Sequence, residues 1–155
     1  MKVGFGFDAH EMIDGKPLML GGVHIDFPKG LRGHSDGDVV LHALSDAILG
    51  SCAKGDIGVY FRDDDVKTEG IDSKKILGFA LKAAVESELR PDNIDITIVA
   101  DRPKLNPLYE KIRESISGEC GIALNRVSVK SKTTEGTIVS KDAIACFVIV
   151  LMEEL

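Results

Sequence analysis

Val3, Phe5 and Phe7 alternate with small or polar residues, and the apolar runs Pro17 to Leu20 and Val23 to Phe27 flank Gly21-Gly22. This pattern predicts strands joined by a hairpin, and Pro28 with Lys29-Gly30 breaks it. The period then changes. From Asp36 to Cys52 the apolar residues Val39, Val40, Ala43, Leu44, Ala47 and Ile48 recur at helical spacing, fading at Gly50 and Gly55, so a helix with one buried stripe is expected. Residues 54–70 follow neither period and read as a long loop, which in a small domain usually serves function or is disordered. Asp72-Ser73 caps a second helix running through Leu89, with Ile76, Leu77, Ala80, Leu81 and Ala84 inward and Pro91 after it. Ile94, Ile96 and Ile98 alternate as a strand, and Asn106-Pro107 opens a third helix that ends near Gly118, proline suiting a first helical turn. Val127 and Val129 begin another strand. The nearly continuous apolar run from Ala143 to Leu151 predicts a last strand buried on both faces.

Composition narrows the classes. A chain of 155 residues, 44% hydrophobic and 28% charged, suffices for one domain with a real core. A net charge of −6 provides no basic field to hold nucleic acid or an anionic membrane. An anionic ligand therefore needs local donors or metals. Absent Trp and 5% aromatics argue against a stacking surface for single strands. Cys52, Cys120 and Cys146 are widely separated and never form Cys-x-x-Cys, which argues against a disulfide framework or zinc knuckle and for buried thiols in a reducing compartment. Met1-Lys2-Val3-Gly4-Phe5 begins a strand with no signal or transit composition, and no stretch approaches membrane length. A bacterial cytosol is the expected location.

The chemistry concentrates in a few motifs. Asp8 and His10 flank Ala9 at the end of the first strand, where residues two apart point the same way and can converge on one ion. His42 sits on the first helix with Asp38 one turn before and Asp46 one turn after, so either carboxylate is placed to orient the imidazole. Asp8, His10 and His42 make three ligands with a fourth position open, the pattern of catalytic zinc. Ser35-x-x-Asp38 has the form of a capping box, which puts the helix start near Ser35 or Asp36. Free amides there, with His34 and Ser35 as side-chain donors, offer a seat for phosphate. Asp56, Asp63 and Asp65, with Phe61 beside them, could bind a cation or accept from sugar hydroxyls, although taken alone they read first as a solvated acidic loop. Ala100-Asp101-Arg102-Pro103-Lys104-Leu105 leaves a strand end, where ligand crevices form in α/β sheets. Lys130-Ser131-Lys132-Thr133-Thr134-Glu135-Gly136 follows another strand with cations, hydroxyls and one carboxylate, a set suited to a metal-bound diphosphate with Glu135 as the magnesium ligand. Each motif alone has a plainer reading as a strand end, helix cap or polar turn. Their combination carries the reading.

In order along the chain stand Gly6-Phe7-Asp8-x-His10, Gly21-Gly22-Val23, His34-Ser35-Asp36-Gly37-Asp38, Leu41-His42-Ala43, Gly55-Asp56-Ile57-Gly58 and Lys130-x-Lys132-Thr133-Thr134-Glu135. With these, nearly the whole length resembles the 2-C-methyl-D-erythritol 2,4-cyclodiphosphate synthase family. The resemblance implies an α+β fold in a single domain over residues 1–155, mostly β sheet with three helices packed on one side, the sheets facing the threefold axis of a homotrimer and active sites lying between subunits. It implies that 4-diphosphocytidyl-2-C-methyl-D-erythritol 2-phosphate is cyclised by attack of the 2-phosphate on the β-phosphate, with release of CMP, in non-mevalonate isoprenoid biosynthesis.

The same resemblance implies one Zn2+ per subunit on Asp8, His10 and His42, and Mg2+ or Mn2+ on Glu135 with the substrate. His34 with Ser35 would steady the attacking phosphate, and Thr133 would stabilise charge at the leaving group. Ala9, Asp56, Ile57, Gly58, Phe61, Asp63 and Asp65 would line the substrate pocket around the metal ligands. Ala100, Pro103, Lys104, Leu105 and Asn106 would hold the cytidine through backbone groups, and Lys132 and Thr134 would flank the diphosphate. One departure stands out: where the family often has Gly-Phe-Thr-Gly-Arg-Gly-Glu-Gly, this chain runs from Gly136 to Asp142 without arginine. An isoprenoid diphosphate on the threefold axis is therefore not implied, since Lys141 lacks the bidentate fork. Rival readings are a zinc-dependent phosphohydrolase, and a trimeric scaffold that keeps the metal site without turnover.

Overall fold

The alternating start of the chain becomes one long strand, β1 (Lys2–Asp14). The computed structural model describes residues 1–62, 69–137 and 140–155. Strands β2 (Leu18–Leu20) and β3 (Val23–Ile25) pair as a hairpin around Gly21-Gly22. Both glycines have positive φ, 62° and 77°, as a two-residue hairpin turn of the primed type requires. Strand β4 (Lys29–Leu31) returns antiparallel to the end of β1. There follow α1 (Val39–Ser51), the short α2 (Ile57–Tyr60) and α3 (Ser73–Val85). Strand β5 (Leu89–Val99), α4 (Tyr109–Cys120), β6 (Val127–Lys132) and β7 (Ala143–Glu154) complete the order.

Five strands form one mixed sheet in the order β4-β1-β7-β5-β6. Only β5 and β6 run parallel, and the remaining neighbours are antiparallel. The helices cover one side of this sheet, α1 against β1 and β7, α3 against β5, and α4 against β6. Ile94, Ile96 and Ile98 point into that layer and are fully buried, as are Ile144, Cys146, Val148 and Val150 of β7.

The alternation in β1 is the reverse of a usual one-sided strand. Gly4 and Gly6 face the helix layer, where a Cβ on Gly4 would lie 1.8 Å from the Ala47 carbonyl oxygen and one on Gly6 1.9 Å from that of Ala43. Two missing side chains let α1 press directly on the strand backbone. Val3, Phe5 and Phe7 point the other way and are 66%, 60% and 48% exposed. Ile149 of β7 sits opposite Phe5 and is 50% exposed, and Phe147 sits opposite Phe7 with ring centroids 4.9 Å apart. Burial of the last strand on both faces is thus not met within one chain: its second face is part of an open apolar patch.

Three boundaries differ from expectation. Helix α1 starts at Val39 rather than near Ser35, because the buried Asp38 is its N-cap. Helix α3 stops at Val85, since Glu88 turns to φ 58° and Leu89 already belongs to β5. One helical turn, α2, lies inside the stretch read as loop, capped by Asp56. At the outer edge of the sheet, α4 lays side chains on β6: Arg113 donates to the Val127 carbonyl at 2.8 Å, and the Tyr109 hydroxyl accepts from the Ser131 amide at 2.8 Å. Among the described residues no helix is long and apolar enough to cross a membrane.

Candidate active site

Asp8 and His10 share the helix-facing side of β1 with Gly4 and Gly6, so the close approach of α1 carries His42 onto them. Asp8 Oδ2 lies 2.8 Å from His10 Nε2 and 3.0 Å from His42 Nδ1. The two imidazole nitrogens are 3.3 Å apart. Burial works to raise the Asp8 carboxyl pKa, but hydrogen bonds from His10 and His42 overcome it and hold the group well below the ordinary carboxylate range. Donor atoms about 2.0–2.1 Å from a tetrahedral ion stand about 3.3–3.4 Å from one another. The observed triangle of 2.8, 3.0 and 3.3 Å is therefore a tetrahedral face contracted by a few tenths of an ångström. These residues fit a divalent ion, and they are the group of acidic and imidazole ligands that converges among the described residues.

The triangle opens on a cavity of about 740 Å³, also lined by Ala9, His34, Ser35, Ile57, Gly58 and Phe61. Ile71 and Ile76 supply an apolar wall, and Arg32 pairs with Glu11 at 3.1 Å on the rim. His34 is exposed there. Lys16 donates to the carbonyls of Gly33 and Ser35 at 3.1 and 3.0 Å and so fixes the loop that carries His34. Burial pulls the Lys16 ammonium pKa down.

Neither expected carboxylate orients His42. Asp38 is fully buried and accepts from the amides of Gly21, Gly22, Val40 and Leu41 at 2.8, 2.7, 3.1 and 3.1 Å. Its work is to cap α1 and tie down the β2–β3 hairpin. Asp46 accepts from the Ile57 amide at 2.8 Å and so anchors α2; burial raises its pKa against that hydrogen bond. His42 instead turns Nε2 to two hydroxyls, Ser35 at 2.9 Å and Ser73 at 3.0 Å. Capping by Asp38 also removes the phosphate seat expected at the start of α1, because those amides are taken and buried.

Ser73 was not readable as a site residue. Its place behind Asp72 signals only a helix start, and nothing in the spacing links it to a histidine 31 positions earlier. Asp36, which bonds the Ser73 hydroxyl, escaped for the same reason.

Of the other predicted residues, none that the structure describes lines this cavity. Asp56 is exposed and accepts from the Val59 amide at 3.3 Å. Asp63 and Asp65 lie outside the described residues. Ala100 and Leu105 are buried in the core, while Lys104 and Asn106 are exposed on the connection from β5 to α4. Pro103, on the same connection, is partly buried. Beside them, the Thr134 amide and hydroxyl donate to Asp101 at 2.7 and 2.8 Å, which lowers the Asp101 carboxyl pKa. The Lys132 carbonyl accepts from the Ala100 amide at 2.9 Å, and the exposed Thr133 hydroxyl bonds Glu135. This second cluster sits at the same end of the sheet as His10, but at the ends of β5 and β6, two and three strands on from β1. One chain thus holds the predicted site residues in two separate clusters.

The YgbB family model matches residues 1–153. A 2-C-methyl-D-erythritol 2,4-cyclodiphosphate synthase of Idiomarina loihiensis is 46% identical over 155 residues, covering 99% of this chain and 98% of the relative. The enzyme of that name from Aquifex aeolicus is 44% identical over 155 residues, covering 100% and 99%. A solved 2C-methyl-D-erythritol-2,4-cyclodiphosphate synthase in a CDP-bound form superposes with a TM-score of 0.91 at 32% identity, covering 98% of this chain and 100% of that one.

Proposed function

The chain belongs to the YgbB family, and on that premise we propose that it is a 2-C-methyl-D-erythritol 2,4-cyclodiphosphate synthase of non-mevalonate isoprenoid biosynthesis. The observation that carries the reading is the convergence of Asp8, His10 and His42 on one face of a cavity large enough for a small phosphorylated sugar alcohol. In the reaction an oxygen of the 2-phosphate bonds to the β-phosphorus, the bond from that phosphorus to the α-phosphate oxygen breaks, and CMP leaves with the electron pair. The attacking group is already anionic, so the protein need only position it and offset charge. Because both phosphates belong to one bound molecule, good alignment saves about 7–11 kcal/mol of the barrier.

Asp8, His10 and His42 would hold zinc, which would supply polarisation of the β-phosphate, and Glu135 would hold magnesium or manganese, which would offset charge on the diphosphate. His34, on its pinned loop, steadies the attacking phosphate, while Ser35 acts through His42. Thr133 turns its hydroxyl from Glu135 to the α-phosphate as charge builds there. Ile57, Gly58 and Phe61 line the methylerythritol pocket, where the carboxylates of Asp63 and Asp65 would serve its hydroxyls, while Asp56 caps the helical turn that carries Ile57 and Gly58. Ala100 and Pro103 to Asn106 receive the cytidine through backbone groups, which accords with the burial of the Ala100 and Leu105 side chains.

Two features support a homotrimer with sites between subunits. The Val3, Phe5, Phe7 and Ile149 face is an apolar surface left open by a single chain. The half-site at Lys132 to Glu135 needs a neighbour's cavity to act on. Purified protein incubated with the cytidine substrate is expected to yield CMP and a cyclic diphosphate in equal amounts, both lost on chelation. Release of free inorganic phosphate instead overturns the reading.

A further inference from the structure

At Nε2 of His42 lie two buried hydroxyls, Ser35 at the cavity edge and Ser73 behind it, and the reaction above gives Ser73 no part. Nε2 of His42 is 2.9 Å from Ser35 Oγ and 3.0 Å from Ser73 Oγ, and the two serines are 3.4 Å apart. Ser73 Oγ also bonds Asp36 Oδ1. Asp36 is itself held, Oδ1 accepting from the Asp38 amide at 3.1 Å and Oδ2 from the Ser73 amide at 3.2 Å.

Counting protons decides how this chain is polarised. A carboxylate only accepts, and a serine hydroxyl has a single proton to give. The charge-assisted bond to Asp36 claims the Ser73 proton, so Ser73 turns lone pairs toward His42. Ser35 Oγ accepts from the Gly37 amide at 3.1 Å, and its remaining lone pair faces Nε2 at 2.9 Å. Both hydroxyls thereby accept from the imidazole, and Nε2 carries the proton. Nδ1 is left as a lone pair facing Asp8 Oδ2 at 3.0 Å. Two acceptors at that distance repel unless something positive lies between or beside them, either the His10 N–H or an ion.

We infer that Ser73, oriented by Asp36, is a positioning residue that fixes His42 as the Nε2–H tautomer and so presents Nδ1 to the metal. This rests on the reading of Asp8, His10 and His42 as metal ligands. It gives a buried hydroxyl at the first position of α3 and a carboxylate in the turn before α1 a shared purpose that neither capping nor packing requires. Partners behind a metal-bound histidine commonly change metal affinity about 10- to 100-fold.

The test uses the whole protein with zinc as the probe. Zinc affinity is measured by chelator competition, and the His42 ring nitrogens are followed by 15N NMR in metal-free and zinc-loaded samples. Ser73→Ala is expected to weaken zinc binding about 10- to 100-fold and to abolish the slowly exchanging Nε2–H signal, and Ser73→Thr to restore both. Asp36→Asn keeps the hydroxyl but offers its proton a neutral amide oxygen in place of a carboxylate, which loosens the hold on that proton, and is expected to weaken zinc binding as well. Should Ser73→Ala not fold, the wild-type tautomer and Asp36→Asn decide. A metal-free wild-type His42 protonated on Nδ1, or Ser73→Ala and Asp36→Asn proteins that bind zinc like the wild type, overturns the inference. If instead zinc-loaded wild type releases no CMP, the cyclisation reading fails while these readouts stand.

Discussion

The two faces of β1 differ in what they were built to meet. Toward the helices the strand offers Gly4, Gly6, Asp8 and His10, two absences followed by two ligands. Toward the outside it offers Val3, Phe5 and Phe7, 48% to 66% exposed. The lesson is that apolar residues on a strand need not mark the core of their own chain. Here the helix-facing side carries the site, and the outward side carries surface that only another molecule can cover.

Substitution on the inward face should do the most damage. Gly6→Ala places a methyl 1.9 Å from the Ala43 carbonyl oxygen, and overpacking of this kind costs about 1–3 kcal/mol, or more where the backbone must move. A lower midpoint in denaturant and weakened zinc binding together are expected. A variant as stable as the wild type with full zinc content would show that α1 does not depend on this contact. On the outward face Phe7→Asp should leave the far-UV spectrum and metal content intact but dissociate the proposed trimer to monomer, as read by light scattering. CMP release should fall with it, because the half-sites separate. A Phe7→Asp protein of unchanged mass would break the distinction between the faces.

A smaller effect concerns Asp8 in metal-free protein. Its folded pKa is depressed by the two histidines, so its contribution to stability is complete above the unfolded carboxyl value of about 3.9 and fades as pH falls through the folded value. Wild type should therefore lose stability on acidification below about pH 4 more steeply than Asp8→Asn. Parallel curves for the two proteins would rule this out. Smallest of all, burial and then Glu119 push the Cys120 thiol up to about 12, so Cys120 should resist alkylation at pH 8 until the protein unfolds. Rapid labelling of native protein at that position would contradict it.

The ligand triad was legible because its logic is local: i and i+2 on a strand, and one histidine on a regular helix. Most strands and the buried helix stripes were legible by the same periodicities. What failed was whatever depended on a third element. Asp38 looked like a partner for His42 by helical spacing, yet the β2–β3 hairpin supplies two amides that claim it. Ser73 and Asp36 meet across 37 positions and leave no periodic trace. Gly4 and Gly6 read as neutral spacers when only the apolar residues were being followed. Their role appears once a helix lies so close that an added Cβ would stand 1.8 or 1.9 Å from its carbonyl oxygens.

The side chains that α4 lays on β6 limit how this molecule can go wrong. A ribbon of chains joined strand to strand would have to begin at Val127–Lys132. There it would first have to evict an arginine from one carbonyl and a tyrosine from one amide. At the opposite margin, β4 presents only three residues. Fibril-like growth is thus discouraged at both sides, and sticking of one copy to another is steered onto the broad flat of the sheet.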